Sequence, residues 1–111
     1  MRICITSQGD TIEAAADGSF GRAAYFIIWE NDEVEILPNP GFKSDHGAGV
    51  VASQAVIAAN ADVLITGHLG PNAAKVLKPS GVKVYRLEVP APTVKVVYQA
   101  YLAGELEPLI C

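Results

Sequence analysis

Hydrophobic residues along the chain fall into short β-branched runs and longer small-residue stretches, separated by glycine, proline and asparagine. Arg2-Ile3-Cys4-Ile5-Thr6-Ser7 predicts a first strand, ended by Gln8-Gly9-Asp10. The Gln8–Ala24 stretch is polar, carries Gly9, Gly18 and Gly21, and reads as a loop long enough to be functional or mobile. Ala24-Tyr25-Phe26-Ile27-Ile28-Trp29 predicts a second strand. Asn31-Asp32 supplies turn residues, and Val34-Glu35-Ile36-Leu37 alternates into a third strand, so the pair forms a hairpin. Pro38-Asn39-Pro40-Gly41 ends sheet pairing, because proline removes the donor that a ladder needs.

From Ala48 to Ala59, the spacing of Val50, Val51, Gln54, Ile57 and Ala58 predicts a helix with that set on one face. Ala61-Asp62-Val63-Leu64-Ile65-Thr66 is apolar through its centre, as expected of a central parallel strand buried on both sides. The turn Gly67-His68-Leu69-Gly70-Pro71 leads into a short helix from Asn72 to Lys78, with Pro71 suited to a first helical position and Pro79-Ser80-Gly81 as the stop. Val82–Leu87 predicts the fifth strand. After Pro90-Ala91-Pro92 a last helix places Val94, Val97, Tyr98, Tyr101 and Leu102 on one face, and Gly104 ends it. The tail, 105–111, reads as irregular.

The order β-β-β-α-β-α-β-α implies an α/β fold: a mixed, mostly parallel five-stranded sheet with helices on both faces. With the first strand pointing up, the Gln8–Ala24 loop, the Phe42–Gly49 segment, the Gly67–Pro71 turn and the Glu88–Pro92 turn gather at the carboxyl end of the parallel strands. Open α/β sheets bind ligands at that edge.

Composition narrows the class. A chain of 111 residues, half hydrophobic and 18% charged, is one domain, 1–111, able to bury its own core. No apolar run reaches the ~20 residues of a membrane span, and Met1–Ile5 reads as a strand start and not as a leader. A net charge of −4 argues against nucleic acid as an electrostatic partner. Cys4 and Cys111, at opposite ends of the chain, fit two free thiols in a reducing cytoplasm. Cys4 reads as a buried hydrophobe, and Cys111 reaches a ligand only if the tail folds back.

The candidate chemistry lies on the carboxyl edge. His46 and His68 offer neutral imidazoles as metal or cluster ligands, against the plainer readings of a helix-cap neighbour and a solvated turn residue. Gly47 and Gly49, then Gly67 and Gly70, form turns that feed helix N-termini, where free N–H groups and the helix dipole attract anions. Arg22 and Lys43 add positive charge to the rim. Asp10, Glu13 and Asp17 do not assemble the converging carboxylates of a two-metal nuclease, and no elbow motif presents Ser7 or Ser44, so catalysis is not expected.

Taken in order, Gly18-Ser-Phe-Gly-Arg-Ala-Ala-Tyr-Phe26, Pro38-Asn-Pro40, His46-Gly-Ala-Gly49 and Thr66-Gly-His-Leu-Gly-Pro-Asn-Ala73 resemble the dinitrogenase iron-molybdenum cofactor biosynthesis family. The resemblance covers nearly the whole chain, to about Leu102. It implies a three-layer ribonuclease-H-like fold without nuclease activity. It also implies an iron–sulfur or molybdenum-containing cluster held for storage or for delivery to a receiving apo-protein, with His46 and His68 as cluster contacts. Cluster carriers often use cysteine thiolates, and no cysteine falls on this edge. Two other readings stay open: a magnesium-dependent phosphate-ester enzyme using Asp10 and Asp17, and an interaction module that is a monomer or a weak homodimer pairing through the hairpin edge.

Overall fold

The computed structural model describes residues 1–44, 47–87 and 92–110. Its strands are β1 (Ile3–Ser7), β2 (Tyr25–Glu30), β3 (Glu33–Pro38), β4 (Val63–Thr66), β5 (Lys83–Arg86) and β6 (Glu107–Ile110). Its helices are α1 (Ala48–Ala58), α2 (Pro71–Ser80) and α3 (Val94–Leu102), with a 3-10 turn at Pro40–Lys43. The sheet order is β3-β2-β1-β4-β5-β6. β1, β4 and β5 run parallel, while β2 is antiparallel to both β1 and β3, and β6 is antiparallel to β5.

The sheet therefore has six strands where five were expected. The tail is not irregular: Glu107 lies opposite Arg86, Pro108 opposite Tyr85 and Ile110 opposite Val84, with a register shift between Val84 and Tyr85. Pro108 hid this strand from a reading of propensities, but an edge strand tolerates a missing donor on its open side or at a bulge. β6 leads away from the carboxyl edge. Cys111, the residue expected to reach a ligand only by folding back, lies outside the described residues.

Two cores form, one on each side of the sheet. Cys4, Phe26, Ile28, Leu64 and Val84 face α1 and α2 through Ala52, Val56, Ala73 and Leu77. Ile3, Ile5, Ile27, Trp29, Val63 and Ile65 face α3 through Val94 and Val97. Trp29 stacks on Tyr98 with ring centroids 3.9 Å apart, and Tyr101 meets Tyr85 edge-on at 5.1 Å. Leu102, expected on the packed face of α3, is 62% exposed in the last turn.

α1 lies rotated from the expected face. Ala52, Ser53 and Val56 are buried, while Gln54, Ile57 and Ala58 point outward. The helix is apolar nearly all round, so periodicity carried little contrast, and the small residues face inward because α1 packs closely on α2. A Cβ on Gly49 would sit 3.2 Å from Ala73 Cβ. The Ser53 hydroxyl is satisfied within this tight seam by Gly49 O at 2.7 Å. α2 also runs past Pro79 to Ser80 and stops at Gly81, whose φ of 85° is costly for other residues.

The long loop is pinned on both flanks. Gln8 N donates to Ala15 O and Asp17 N to Thr6 O. Ala16 N donates to Pro92 O, and Val94 N and Lys95 N donate back to Ala14 O and Ile12 O, which ties the loop to the start of α3. Its second half is wedged against neighbouring backbone. A Cβ on Gly67 would meet Gly18 Cα at 2.7 Å and Gly18 O at 2.8 Å, and one on Gly41 would meet Gly21 O at 2.6 Å and Ala48 O at 2.7 Å.

Buried Asn39 holds the same segment by hydrogen bonds. Its Nδ2 donates to Phe20 O at 3.2 Å and Ala23 O at 2.9 Å, and its Oδ1 accepts from Gly41 N at 2.9 Å. Asn39→Ala leaves those buried groups unsatisfied and should destabilise the fold by about 3 kcal/mol. Urea unfolding monitored by circular dichroism would report this as a lower midpoint at constant slope. Gly67→Ala should cost about 2–3 kcal/mol through backbone overlap. Gly70→Ala meets no atom within 4 Å and should be near neutral, so equal midpoints for the two glycine variants would contradict the packing argument.

Candidate functional site at the carboxyl edge

β1, β4 and β5 all end at one rim, and β3 ends there with Pro38. At the ends of β1 and β4 the buried hydroxyls are turned inward. Thr6 Oγ1 bonds Asp17 O at 2.5 Å and Thr66 Oγ1 at 3.1 Å, and Ser7 Oγ donates to Gly9 O at 2.7 Å. They brace the loops and are spent on the fold. Ser7 is fully buried.

His68 is exposed on the turn after β4. Its backbone N donates to Gly18 O at 2.6 Å, and it bridges Ser19 in parallel fashion, so the long loop fixes its main chain. Its imidazole is left facing the rim solvent. His46, the other expected ligand, lies outside the described residues.

Gly47 is the N-cap of α1, with φ 66° in the left-handed region, and Gly70 is the N-cap of α2, followed by Pro71. In both helices the N-cap is a glycine, which supplies no side-chain capping bond of its own. Gly49 and Ala73, one in each first turn, are in contact, so the two N-termini open side by side. Gly67 and Gly49 owe their identity to close packing, whereas Gly47 owes it to backbone conformation and Gly70 to neither. The glycine pairs predicted as ligand turns are thus partly structural, and their joint effect is to bring two positive helix ends together.

Arg22 lies across this rim. Its Nη1 donates to Ser44 O and, at 3.4 Å, to Gly41 O, which ties the guanidinium to the segment leading into α1. Lys43 is exposed and stands beside a cleft of about 350 Å³ lined by Tyr25, Pro38, Pro40 and Phe42. Asp17 is engaged locally, accepting Ser19 N at 2.8 Å. Among the described residues no three His, Cys, Asp or Glu side chains converge. Cys4 is fully buried mid-strand, and burial pushes its thiol far above the usual range, which keeps it protonated and unreactive.

Asn39 is the residue that sequence reasoning left without a role. The signal was the Pro38-Asn39-Pro40 triplet: a polar residue between two prolines that lack N–H donors, where a side-chain amide can take their place.

The comparisons with known proteins agree with this architecture. The apo form of the orange protein from Desulfovibrio gigas superposes with a TM-score of 0.89 and 34% identity, covering 96% of this chain and 91% of that one. A Thermotoga protein of the DUF35 family, provisionally named a NifB protein, gives 0.85 and 35%, covering 97% and 92%. An uncharacterized protein of Methanocaldococcus jannaschii is 29% identical over 93 residues, which is 79% of this chain and 77% of that protein. The family model for dinitrogenase iron-molybdenum cofactor proteins matches residues 1–104. With a match of that extent, the chain belongs to the dinitrogenase iron-molybdenum cofactor family.

Proposed function

We propose that the chain is a non-catalytic, cytoplasmic carrier that holds an anionic iron–sulfur or molybdenum-containing cluster at the carboxyl edge and passes it to a receiving apo-protein. The observation that carries this reading is the pair of helix N-termini, α1 and α2, each with a glycine at its N-cap, opening side by side next to Arg22 and an exposed imidazole. Free N–H groups at helix starts bond anions, and the two dipoles add locally against a net charge of −4. Sulfide-rich clusters accept such bonds, and His68, with His46, supplies nitrogen donors to the metal. The turns at Gly47, Gly49, Gly67 and Gly70 shape the seat. Thiolate ligation has no donor among the described residues, because Cys4 is buried in the sheet.

The strand order 3-2-1-4-5 with an antiparallel β2 supports a ribonuclease-H-like architecture, to which β6 is added at the far edge. Family membership and a close structural neighbour solved in its apo form support cargo binding as the use of that frame.

Incubating the chain anaerobically with iron, molybdate and sulfide, followed by desalting and absorption spectroscopy, tests the reading. A retained charge-transfer band is expected. His68→Ala and His46→Ala should each weaken loading on the order of ten-fold, and Arg22→Ala by about three-fold. Cys4→Ala should load as the wild type does. A wild type that retains no band, or loading that disappears with Cys4, defeats the proposal.

A further inference from the structure

β3 is the outer strand of the sheet beyond β2, and nothing among the described residues pairs with its far side. Asn31 and Asp32, with φ of 49° and 67°, form a two-residue hairpin turn of the primed type. Such a turn makes Glu30 and Glu33 the closing hydrogen-bonded pair of the register. Alternation from that pair aims the N–H and C=O groups of Glu33, Glu35 and Leu37 at β2. Those of Val34 and Ile36 point away from the sheet, four unpaired groups on an open edge.

The side chains along this edge are also sorted. Val34 and Ile36, 39% and 40% exposed, form an apolar stripe on the α3 side, beyond the reach of that helix. The opposite side is acidic. A cleft of about 340 Å³ lies there, lined by Glu30, Glu33, Glu35, Arg2, Ile28 and Val34. Arg2 is committed to Glu30 at 3.1 Å and Glu35 at 2.9 Å, while Glu33 has no ion pair among the described residues. Exposed edges of this kind are usually blunted by lysine, proline or a bulge. This one carries only its carboxylates and Pro38 at its end.

We propose that β3 accepts an extended segment of another protein as an added strand, and that this segment alternates apolar and basic residues. Main-chain bonds to Val34 and Ile36 would hold it, its apolar side chains would cover the stripe, and its cations would enter the acidic cleft. Charge decides between this guest and a second copy. The hairpin carries Glu30, Asp32, Glu33 and Glu35 against Arg2 alone. A second β3 on the same edge would double that excess, whereas a basic strand neutralises it. The proposal does not depend on the cluster reading, because the acidic cleft lies at the Asn31–Asp32 end of the hairpin, away from the rim where β3 ends with Pro38.

The test is NMR titration of the isotope-labelled full chain with a blocked hexapeptide alternating valine and lysine. Amide shifts confined to Glu33–Leu37 and the facing β2 residues are expected. Glu33→Lys and raised salt should each weaken binding by at least about five-fold. Ile36→Pro should weaken it by at least about ten-fold, with circular dichroism unchanged, because that N–H faces away from β2. Absent binding, equal binding of a valine–glutamate peptide, or shifts that bypass β3 would overturn the proposal. So would concentration-dependent dimers in sedimentation that the peptide cannot displace, since the edge would then belong to a second copy.

Discussion

Close backbone approach at the carboxyl rim is the constraint on which the site depends. The backbone of the Gly18–Gly21 segment lies so close to two neighbours that Gly67 and Gly41, which face it, have no room for side chains of their own. On one side is the turn at Gly67, and on the other are Gly41 and the start of α1, where a Cβ on Gly21 would meet Gly49 N at 3.0 Å. Asn39 then converts proximity into order, bonding the carbonyls of Phe20 and Ala23 and the N–H of Gly41. Removing a Cβ costs chain entropy, but here it lets three loops share one layer. The two helix starts are neighbours because of it.

On the proposed reading, this arrangement is how a chain with net negative charge would present an anion seat. Field strength at short range would come from oriented N–H groups and two dipoles, not from an excess of cations. Arg22 is fixed on the rim by backbone carbonyls of the segment that leads into α1. Four of the twelve acidic residues, Glu30, Asp32, Glu33 and Glu35, cluster on the hairpin, where they bear on what β3 can pair with.

Much of the fold was readable because strands of Ile, Val and Leu bounded by glycine and proline carry strong local signals. The hairpin, the parallel β1-β4-β5 core and the position of the rim follow from element order and the handedness of crossovers. What failed did so for identifiable reasons. α1 offers no polar face to contrast with its apolar one, so its orientation was set by the need for Ala52 and Ser53 to fit against α2 and the sheet. β6 contains Pro108 and few residues, and it became a strand because β5 had an unpaired edge to offer. Asn39 looked like turn punctuation, and its importance lies in partners 16 to 19 residues earlier in the chain.

The family signature and the residue types at the rim were fixed by sequence alone: glycines in turns, histidine after β4, and no cysteine nearby. Those are properties of composition at a position, and they survive without coordinates. Tertiary structure decided which of the glycines serve packing and which serve conformation, and which hydroxyls were consumed by bracing. It also decided that two helix N-termini face outward together and that one acidic edge stays open. Each of these depends on distances between residues far apart in the chain, and such distances exist only once the sheet has closed.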